Sequence, residues 1–399
     1  MEEWKTYKLK DICIKVTDGS HFSPEGIEDG YPMFSVKDML EYGFDYSKCK
    51  RISEIDFNKM KSSGCVPQKG DVLVAKDGSF LKQIFVCEET MDEAILSSIA
   101  IFRPDTSKVC PEYLCYLIKS PKVYDYISKN CVSGSALPRI VLKAFKEVEL
   151  DIPSLDMQKS IVARLKCIDD KIRINNRINH NLEEQAQALY KSWFVDFEPF
   201  KDGKFVESEL GMIPEGWRVG QLSEIAKITM GQSPSGTSFN EDGNGIVFYQ
   251  GRTEFGFRFP SIRLFTTEPT RYAEPDSVLL SVRAPVGDVN IASQRCCIGR
   301  GLASIESISG NSSFILYTIL SLRSTLDRYN GEGTVFGSVN RKELESLSVI
   351  IPPENIQNRF EQIASTLDEE IKSKSKELNQ LSESRDSLLP RLMSGEITC

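Results

Sequence analysis

The chain has 399 residues, of which 40% are hydrophobic and 27% are charged, and it therefore suits two folded domains with connecting elements rather than a disordered or fibrous protein. Its formal net charge of -8 disfavours a general polyanion-binding protein, because such proteins normally carry an excess of basic residues. The apolar runs are too short to cross a membrane and the first ten residues lack signal-peptide character, so we expect a cytoplasmic protein. Eleven cysteines without a C-x-x-C pair indicate reduced thiols rather than a zinc site or disulfides.

Residues 1–153 have the pattern of a first folded domain. Short β-branched runs such as Val72–Ala75 predict strands, and residues 111–118 predict a helix that begins at a proline. Strands mixed with helices in this way are typical of an α+β domain. Acidic and basic side chains nearly balance here, so any contact with a polyanion would have to come from a local patch.

A long helix is predicted next, over residues 154–190. Mostly apolar residues recur at alternating steps of three and four, which indicates a narrow coiled-coil seam rather than a broad globular face. The seam positions are Ile161, Leu165, Ile168, Ile172, Asn175, Asn179, Leu182, Ala186 and Leu189. At about 1.5 Å per residue, a helix of this length would extend for about 55 Å.

A linker of residues 191–216 leads to a second domain at residues 217–352, which repeats the first. The string WKTYKLKDI at 4–12 returns in form as WRVGQLSEI at 217–225. The offset between matching anchors falls from 213 at the first anchor to 199 at the last, so their order is kept while the loops shorten. The sequence therefore predicts one fold used twice.

The linker is rich in aromatic residues, which we interpret as part of a core or of a helix-docking contact rather than as a direct partner contact. These residues are Trp193, Phe194, Phe197 and Phe200.

A second long helix is predicted over residues 353–390, with Pro390 near its end, and a tail of residues 391–399 follows. The residues of its seam follow nearly the same spacing as those of the first helix. Asn175 and Lys374 fall at equivalent positions and would form polar layers that fix the register. The seam positions are Phe360, Ile363, Leu367, Ile371, Lys374, Leu378, Leu381 and Leu388.

The chain path restricts how these two helices can pair. If they pair within one chain they must run antiparallel, because the first helix leads from domain one to domain two and the second leads out of domain two. The predicted fold class is therefore α+β, with two duplicated domains separated by two long helices that form an antiparallel intramolecular coiled coil. Pairing between two chains, which would give a homodimer, is the alternative.

Two similar domains held about 55 Å apart could meet one face of a DNA duplex, whose helical turn is about 34–36 Å. Because the copies differ in sequence, they would recognise different half-sites, and the target would be split and asymmetric.

The sequence lacks the common catalytic motifs. His21 and His180 are the only histidines, so a Ser-His-Asp or Cys-His site would need one of them. There is no P-loop lysine motif, no G-x-G-x-x-G after a strand, no H-E-x-x-H and no N/D-P-P-Y/F tetrad. We therefore predict a non-catalytic protein without a metal site.

Three long strings carry a family resemblance: LYKSWFVDFEP at 189–199, SELGMIPEGW at 208–217 and LLPRLMSGEI at 388–397. With the order domain, helix, domain, helix, the chain resembles the specificity subunit of type I restriction-modification systems over essentially its whole length. The resemblance implies that each globular unit is a target-recognition domain and that the long helices seat two methyltransferase subunits.

Those partners would carry S-adenosylmethionine and methylate adenine, and a motor-nuclease subunit using ATP and magnesium could join them. This chain itself would bind no cofactor. The partners would also supply much of the phosphate attraction, which would explain the acidity of the chain.

By the same resemblance, polar turns of both domains would face DNA, although plain turns remain an alternative. The candidates in the first domain are Thr17, Asp18, Ser20, His21, Lys76, Ser79, Ser133, Ser135 and Arg139. Those in the second domain are Gln232, Ser233, Ser235, Gln250, Arg252, Arg283, Thr334, Ser338 and Arg341.

Side-chain chemistry suggests that the two domains contribute unequally to affinity and to base recognition. The second domain has 11 arginines to 2 lysines, whereas the first has 3 arginines to 18 lysines. Arginine and glutamine suit bidentate contacts with guanine and adenine edges, while lysine contacts phosphate as a point charge. The second domain is therefore expected to favour base recognition.

Two other classes of function stay open at this point. One is a self-sufficient DNA-modifying enzyme of unrecognised type, and the other is a coiled-coil adaptor that bridges two proteins without binding DNA.

Overall fold

The computed structural model describes residues 4–78, 80–134, 138–331 and 337–397. The chain divides into two compact units. Unit 1 comprises the residues up to Ile172 together with those from Gln380 onward, and unit 2 comprises Arg173–Asn379. Each long helix therefore contributes one end to each unit.

The elements from the first strand to the first long helix are β1 (Lys5–Lys8), β2 (Cys13–Asp18), β3 (Tyr31–Phe34), β4 (Met39–Leu40), β5 (Gly43–Phe44), β6 (Lys50–Ile52), α1 (Glu54–Ser62), β7 (Val72–Ala75), β8 (Ile84–Val86), β9 (Ala94–Ile95), β10 (Ile99–Pro104), α2 (Pro111–Lys119), α3 (Pro121–Asn130), β11 (Val132–Ser133), β12 (Arg139–Ile140), α4 (Leu142–Lys146), β13 (Glu149–Ile152) and α5 (Leu155–Phe194).

The elements that follow are β14 (Phe205–Ser208), β15 (Gly211–Pro214), β16 (Arg218–Gln221), β17 (Ala226–Met230), β18 (Phe239–Asn240), β19 (Ile246–Tyr249), β20 (Phe265–Thr266), β21 (Tyr272–Ala273), β22 (Val278–Ser281), β23 (Val289–Ile291), β24 (Cys296–Ile298), β25 (Leu302–Ser307), α6 (Ser312–Ser321), α7 (Arg323–Asp327), α8 (Arg341–Glu345), β26 (Ser348–Ile351) and α9 (Glu354–Met393). Short 3-10 turns lie between several of them.

Unit 1 is built around a four-stranded antiparallel sheet in the order β2-β10-β7-β8. Successive side chains of a strand point to opposite faces, and both faces of this sheet are covered. On β7, Val72 and Val74 face a core that also contains α2, whereas Leu73 and Ala75 face a second core on the other side. This explains why the strand is a continuous apolar run rather than an alternating one. A second sheet, β6-β3-β9, pairs β3 and β9 in parallel.

Unit 2 repeats the four-stranded sheet and the parallel strand pair of unit 1, which confirms the predicted duplication, although its second sheet has five strands rather than three. Its four-stranded antiparallel sheet has the order β17-β25-β22-β23, and β19 and β24 form the corresponding parallel pair. In each repeat the opening strand pairs with the closing strand, as β1 with β13 and β16 with β26. Both units are thus α+β and share one topology.

The two long helices run antiparallel within each unit. In unit 2, Asn175 of α5 donates to Glu377 of α9 at 2.9 Å, and Asn179, four residues later, donates to Ser375 at 3.3 Å. Both asparagines are fully buried, which confirms the predicted polar layer at Asn175. In unit 1, Arg385 of α9 donates to Asp169 of α5 at 3.4 Å. The pairing therefore lies within one chain.

A tyrosine–aspartate hydrogen bond ties each sheet domain to a long helix. In unit 1 the Tyr116 hydroxyl donates to Asp169 of α5 at 2.6 Å, and in unit 2 the Tyr317 hydroxyl donates to Asp368 of α9 at 2.7 Å. Burial and the adjacent Asp169 raise the pKa of Tyr116 well above its usual range, so this hydroxyl stays a donor. The duplication thus extends to the contacts between domain and helix.

Three details of the helices differ from the sequence prediction. Helix α5 continues past residue 190 to Phe194, because Tyr190, Trp193 and Phe194 are buried in the core of unit 2. This burial agrees with the core role expected for the aromatic cluster. At the other end of the chain, Pro390 lies inside α9 rather than at its end. Proline costs one main-chain hydrogen bond, but burial of the following Leu392 and Met393 in unit 1 offsets that loss.

The third difference concerns the seam of α9. Ile363, a predicted seam residue, is 46% exposed, whereas Phe360 and Ala364 are fully buried. A step of four residues, not three, brings a side chain back under Phe360 at this point, so Ala364 takes the inward position.

Candidate nucleic-acid interface

In unit 2 the loops that follow four strands meet at one edge of the sheets. Main-chain hydrogen bonds hold them together: Gly231 N–H donates to Leu302 O at 2.9 Å, Gln232 N–H to Ile298 O at 3.0 Å, Gly299 N–H to Tyr249 O at 2.8 Å and Val282 N–H to Gly301 O at 2.9 Å. We call residues 231–233, 250–251, 282–284 and 299–301 the loop edge of unit 2.

Close packing of these loops depends on glycine. A Cβ atom at Gly231 would lie 2.1 Å from the carbonyl oxygen of Gly299, which no other residue type tolerates without displacement of the backbone. The loop edge is therefore a rigid platform for the side chains between the glycines.

Four of the residues predicted in the second domain lie on this loop edge. The side chains of Gln232, Gln250 and Arg283 are exposed, and Ser233 accepts a hydrogen bond from the main chain of Arg300 at 3.3 Å. Ser338 joins them through a β-bridge to Arg283. The structure thus brings together residues that are more than 100 positions apart in the sequence.

Other predicted residues of the second domain are engaged elsewhere. Ser235 shares a hydrogen bond with Thr237 at 2.8 Å, and Arg341 pairs with Glu345 at 2.7 Å on α8. Arg252 forms an ion pair with Asp288. Thr334 lies outside the described residues.

The carboxylate of Asp288 accepts hydrogen bonds from two arginines. Burial alone would raise its pKa, but the bonds from Arg323 and Arg252 outweigh burial and hold the pKa below its ordinary value. The carboxylate is therefore ionised at neutral pH, and its ion pair with Arg252 leaves that guanidinium less available to a ligand.

The sequence reading missed two exposed arginines near the same edge. Arg300 lies on the loop edge between Gly299 and Gly301, and Arg271 follows Thr270, whose hydroxyl donates to the carbonyl of Gln232. The Gly-Arg-Gly string is a usable signal, because glycines on both sides indicate a tight turn that presents one long side chain.

Unit 1 has the same edge, formed by the same main-chain pattern. Gly19 N–H donates to Ile99 O at 3.1 Å, and Ser20 N–H donates to Ile95 O at 2.8 Å. A Cβ atom at Gly19 would lie 2.2 Å from the carbonyl oxygen of Ile95. These contacts match those of Gly231 and Gln232, so Ser20 corresponds to Gln232.

The structure corrects the expectation that Lys76 lies in an exposed polar turn. Its side chain is only 6% exposed, and Nζ lies 2.5 Å from Oδ2 of Asp18, whose side chain is 13% exposed. The string Lys-Asp-Gly-Ser has the composition of an exposed turn, but Lys76 N–H donates to Ser98 O, and this contact keeps the residue within the sheet edge. Neither member of the pair is an accessible DNA contact.

The remaining predicted residues of unit 1 are more accessible. His21 is 75% exposed, with Nε2 3.4 Å from Asp18 Oδ1. Ser133 and Arg139 are adjacent on the β11–β12 hairpin, and Arg139 pairs with Asp77 at 3.2 Å. Thr17 is half-buried at the end of β2, and Ser20 bonds within its own turn to Phe22 at 2.8 Å. Ser79 and Ser135 lie outside the described residues.

A cleft of about 400 Å³ opens beside the first of these turns. Thr17, Asp18, Ser20 and His21 line one side, and α1 lines the other. The ammonium of Lys59 on α1 lies 5.5 Å from the centre of the exposed Phe22 ring. The cleft offers a base or a phosphate both an aromatic surface and a cation.

Metal-binding clusters and thiols are two kinds of reactive group that can be assessed in the described part of the chain. No group of three His, Cys, Asp or Glu residues there could hold a metal ion. Burial raises the pKa of the thiols of Cys13, Cys87 and Cys296 to about 12, which makes them poor nucleophiles at neutral pH. None of the helices described is both long and apolar enough to cross a membrane.

Comparison with known proteins adds a family. The family model for the type I restriction modification DNA specificity domain matches residues 1–184 and again residues 214–383. A candidate MjaX specificity subunit of a type I restriction enzyme from Methanocaldococcus jannaschii is 31% identical, and the match covers 99% of this chain and 94% of that protein.

Two further comparisons point the same way. The HindI specificity subunit of Haemophilus influenzae is 25% identical over the full length of both chains. Among solved structures, the S subunit of a type I restriction-modification system from M. genitalium matches 98% of this chain and 96% of that one, with a TM-score of 0.62 and 15% identity. At that identity the match concerns the fold alone.

Proposed function

This chain belongs to the family of type I restriction-modification DNA specificity subunits, and from that premise we propose that each of its units recognises one half of a bipartite, asymmetric DNA target. One observation carries the proposal: the same loop edge is built twice on the same backbone pattern but carries different side chains. A duplicated platform with unlike side chains suits two unlike half-sites.

The chain is, in this proposal, a recognition subunit without catalysis of its own. Methyl transfer and DNA cleavage belong to partner subunits, with two methyltransferase subunits seated on the long helices and restriction subunits joining them. S-adenosylmethionine, ATP and magnesium are expected on those partners. The acidic net charge of -8 supports a division in which partners contribute much of the phosphate attraction.

Within the chain, the loop edge of unit 2 makes direct base contacts through Gln232, Gln250 and Arg283. In unit 1 the contacts come from His21, Ser133 and Arg139, with the cleft lined by α1 beside them. Asp18, Lys76 and Asp77 act indirectly, because they fix the turns that carry these groups.

The decisive experiment compares methylated adenines in the host with and without this gene, under conditions where the locus is expressed. Loss of one bipartite motif is the expected result. An unchanged methylome would contradict the proposal and favour a coiled-coil adaptor.

A second assay separates the recognition subunit from a self-sufficient enzyme. The isolated full chain is incubated with DNA, magnesium and S-adenosylmethionine, and methylation and strand cleavage are measured. We expect neither activity until the methyltransferase subunits are added. Turnover by the isolated chain would overturn the non-catalytic assignment.

A further inference from the structure

Most arginines of the second domain are neutralised within the fold. Seven of the eleven in residues 217–352 pair with carboxylates, and four do not pair in the described part of the chain. The paired ones are Arg218, Arg252, Arg258, Arg263, Arg295, Arg323 and Arg341. The others are Arg271, Arg283, Arg300 and Arg328, and two of these, Arg283 and Arg300, lie on the loop edge.

The backbone of Arg300 is held by hydrogen bonds of its own and of both neighbours. Its own N–H donates to Ser233, and the glycines on either side bond to Tyr249, Gln250 and Val282. A Cβ atom at Gly299 or Gly301 would lie 2.9 Å from the Gln250 carbonyl oxygen, so the turn sits directly against that strand end. The backbone is fixed on both sides while the guanidinium remains exposed.

We propose that Arg300 recognises a guanine in the half-site bound by unit 2, by a bidentate contact from the major groove. The proposal rests on the function proposed above and extends it to a base identity. A guanidinium presents two parallel N–H donors that match guanine O6 and N7, and no other base edge accepts both. A fixed backbone reduces the entropy lost on binding and holds the fork in register.

The neighbouring side chains favour a base over a phosphate. Gln232 and Gln250 are exposed on the same loop edge, and the amide of glutamine contacts adenine edges rather than adding positive charge. The loop edge thus combines arginine guanidiniums with neutral amides, and the salt dependence of binding separates a base contact from a phosphate contact.

Unit 1 has no equivalent contact. Ser97 occupies the position of Arg300, because its N–H donates to Ser20 O and the following Ser98 carbonyl accepts from Lys76, as Gly301 O accepts from Val282. A serine at this position is too short to form a bidentate contact. The guanine contact is therefore specific to the half-site of unit 2.

The test introduces Arg300→Ser, the residue type of unit 1, and Arg300→Lys into the full-length gene in its host, and methylated motifs are mapped by sequencing. We expect both variants to relax one guanine position in one half of the motif, with discrimination falling roughly ten- to a hundredfold. Arg295→Gln is the matched control, because Arg295 is exposed at the opposite end of β24. It should leave the motif unchanged.

Binding of full-length complexes with the methyltransferase subunits to duplexes that vary at each position supplies a second measurement. An equal loss of affinity on all sequences, with a flatter salt dependence, would overturn the proposal in favour of a phosphate contact. So would an unchanged motif in both Arg300 variants. If deletion of the gene left the methylome unchanged, the proposed function itself would fail, which is a different result.

Discussion

The loop edges of the two units share a backbone but differ in what their side chains are free to do. In unit 1, Lys76 forms a buried ion pair with Asp18, and Arg139 forms an ion pair with Asp77. In unit 2, the position of Asp77 is taken by Arg283, which faces Ser338 across an equivalent β-bridge and has no acidic partner among the described residues. The charged groups of one edge are satisfied internally, and those of the other are left for a ligand.

This difference separates two tasks that a recognition domain must perform. The main-chain pattern fixes where a side chain is presented, and it is the same in both units. The side chains decide whether a donor is available or already bound. Unit 1 must therefore rely less on unpaired charged groups than unit 2 does, and the cleft between its first turn and α1 is the structural candidate for additional contacts.

The largest effect is expected from breaking the buried pair of unit 1. Asp18→Ala leaves the ammonium of Lys76 buried without a partner, which should lower the free energy of unfolding by about 3–5 kcal/mol. Denaturant unfolding of the full chain would measure it. The double variant Asp18→Met with Lys76→Val copies the apolar residues Met230 and Val282, which occupy the equivalent positions in unit 2, and it should recover most of the loss. Equal destabilisation by single and double variants would show that the two units are not interchangeable here.

A smaller effect, on recognition rather than on folding, is expected at Arg283. Arg283→Ala should cost about 1–3 kcal/mol of discrimination at one base pair of the second half-site, because it removes an exposed guanidinium that can make a bidentate contact from the loop edge. Binding to duplexes altered one position at a time gives the number. A uniform loss over all sequences would contradict a role in base recognition.

Freeing Arg252 should change affinity in the opposite direction. Asp288→Asn removes the carboxylate that occupies Arg252 and Arg323, so nonspecific DNA binding should tighten and its salt slope should steepen by about 0.9 per new phosphate contact. The pKa of Asp288 is lowered, so the stability from these pairs is fully present above the ordinary carboxyl pKa of about 3.9 and is lost as the pH falls through the lowered value. The contribution of Asp288 to this slope should thus be the same at pH 6 and pH 8, roughly two units or more above that range.

The smallest effect is expected from Arg139→Ala in unit 1. Its side chain is 57% exposed and paired with Asp77, and exposed ion pairs contribute about 0–1 kcal/mol. We expect little change in stability and a weaker change in recognition than at Arg283. If Arg139→Ala relaxed the first half-site as strongly as Arg283→Ala relaxes the second, the contrast between the two edges would be wrong.

Much of the architecture was predictable, because periodicity and repetition are properties of the sequence itself. Asn175 is an example: a polar residue in an otherwise apolar seam indicates a buried polar layer, and the structure has one. Ile363 was not predictable, since steps of three and four residues both continue a helical seam and only packing against Phe360 chooses between them.

The candidate site was less predictable, because exposure depends on partners that are remote in the chain. Lys76 lies 58 residues from Asp18, and only the arrangement of β2, β10 and β7 brings them together. For Arg300, the feature that could not be predicted is which residues lie beside it. Nothing in its local sequence shows that it lies beside Gln232 and Gln250, since that proximity arises from four strand ends meeting at one edge.

The turn at residues 299–301 has a consequence for evolution. Its conformation is set by main-chain groups, by flanking glycines and by Ser233, so the identity of the side chain at position 300 contributes little to folding. From the proposed role of Arg300, we expect a point mutation there to change what is recognised while stability is retained. A host lineage could therefore acquire new target sequences by single substitutions, without passing through misfolded intermediates.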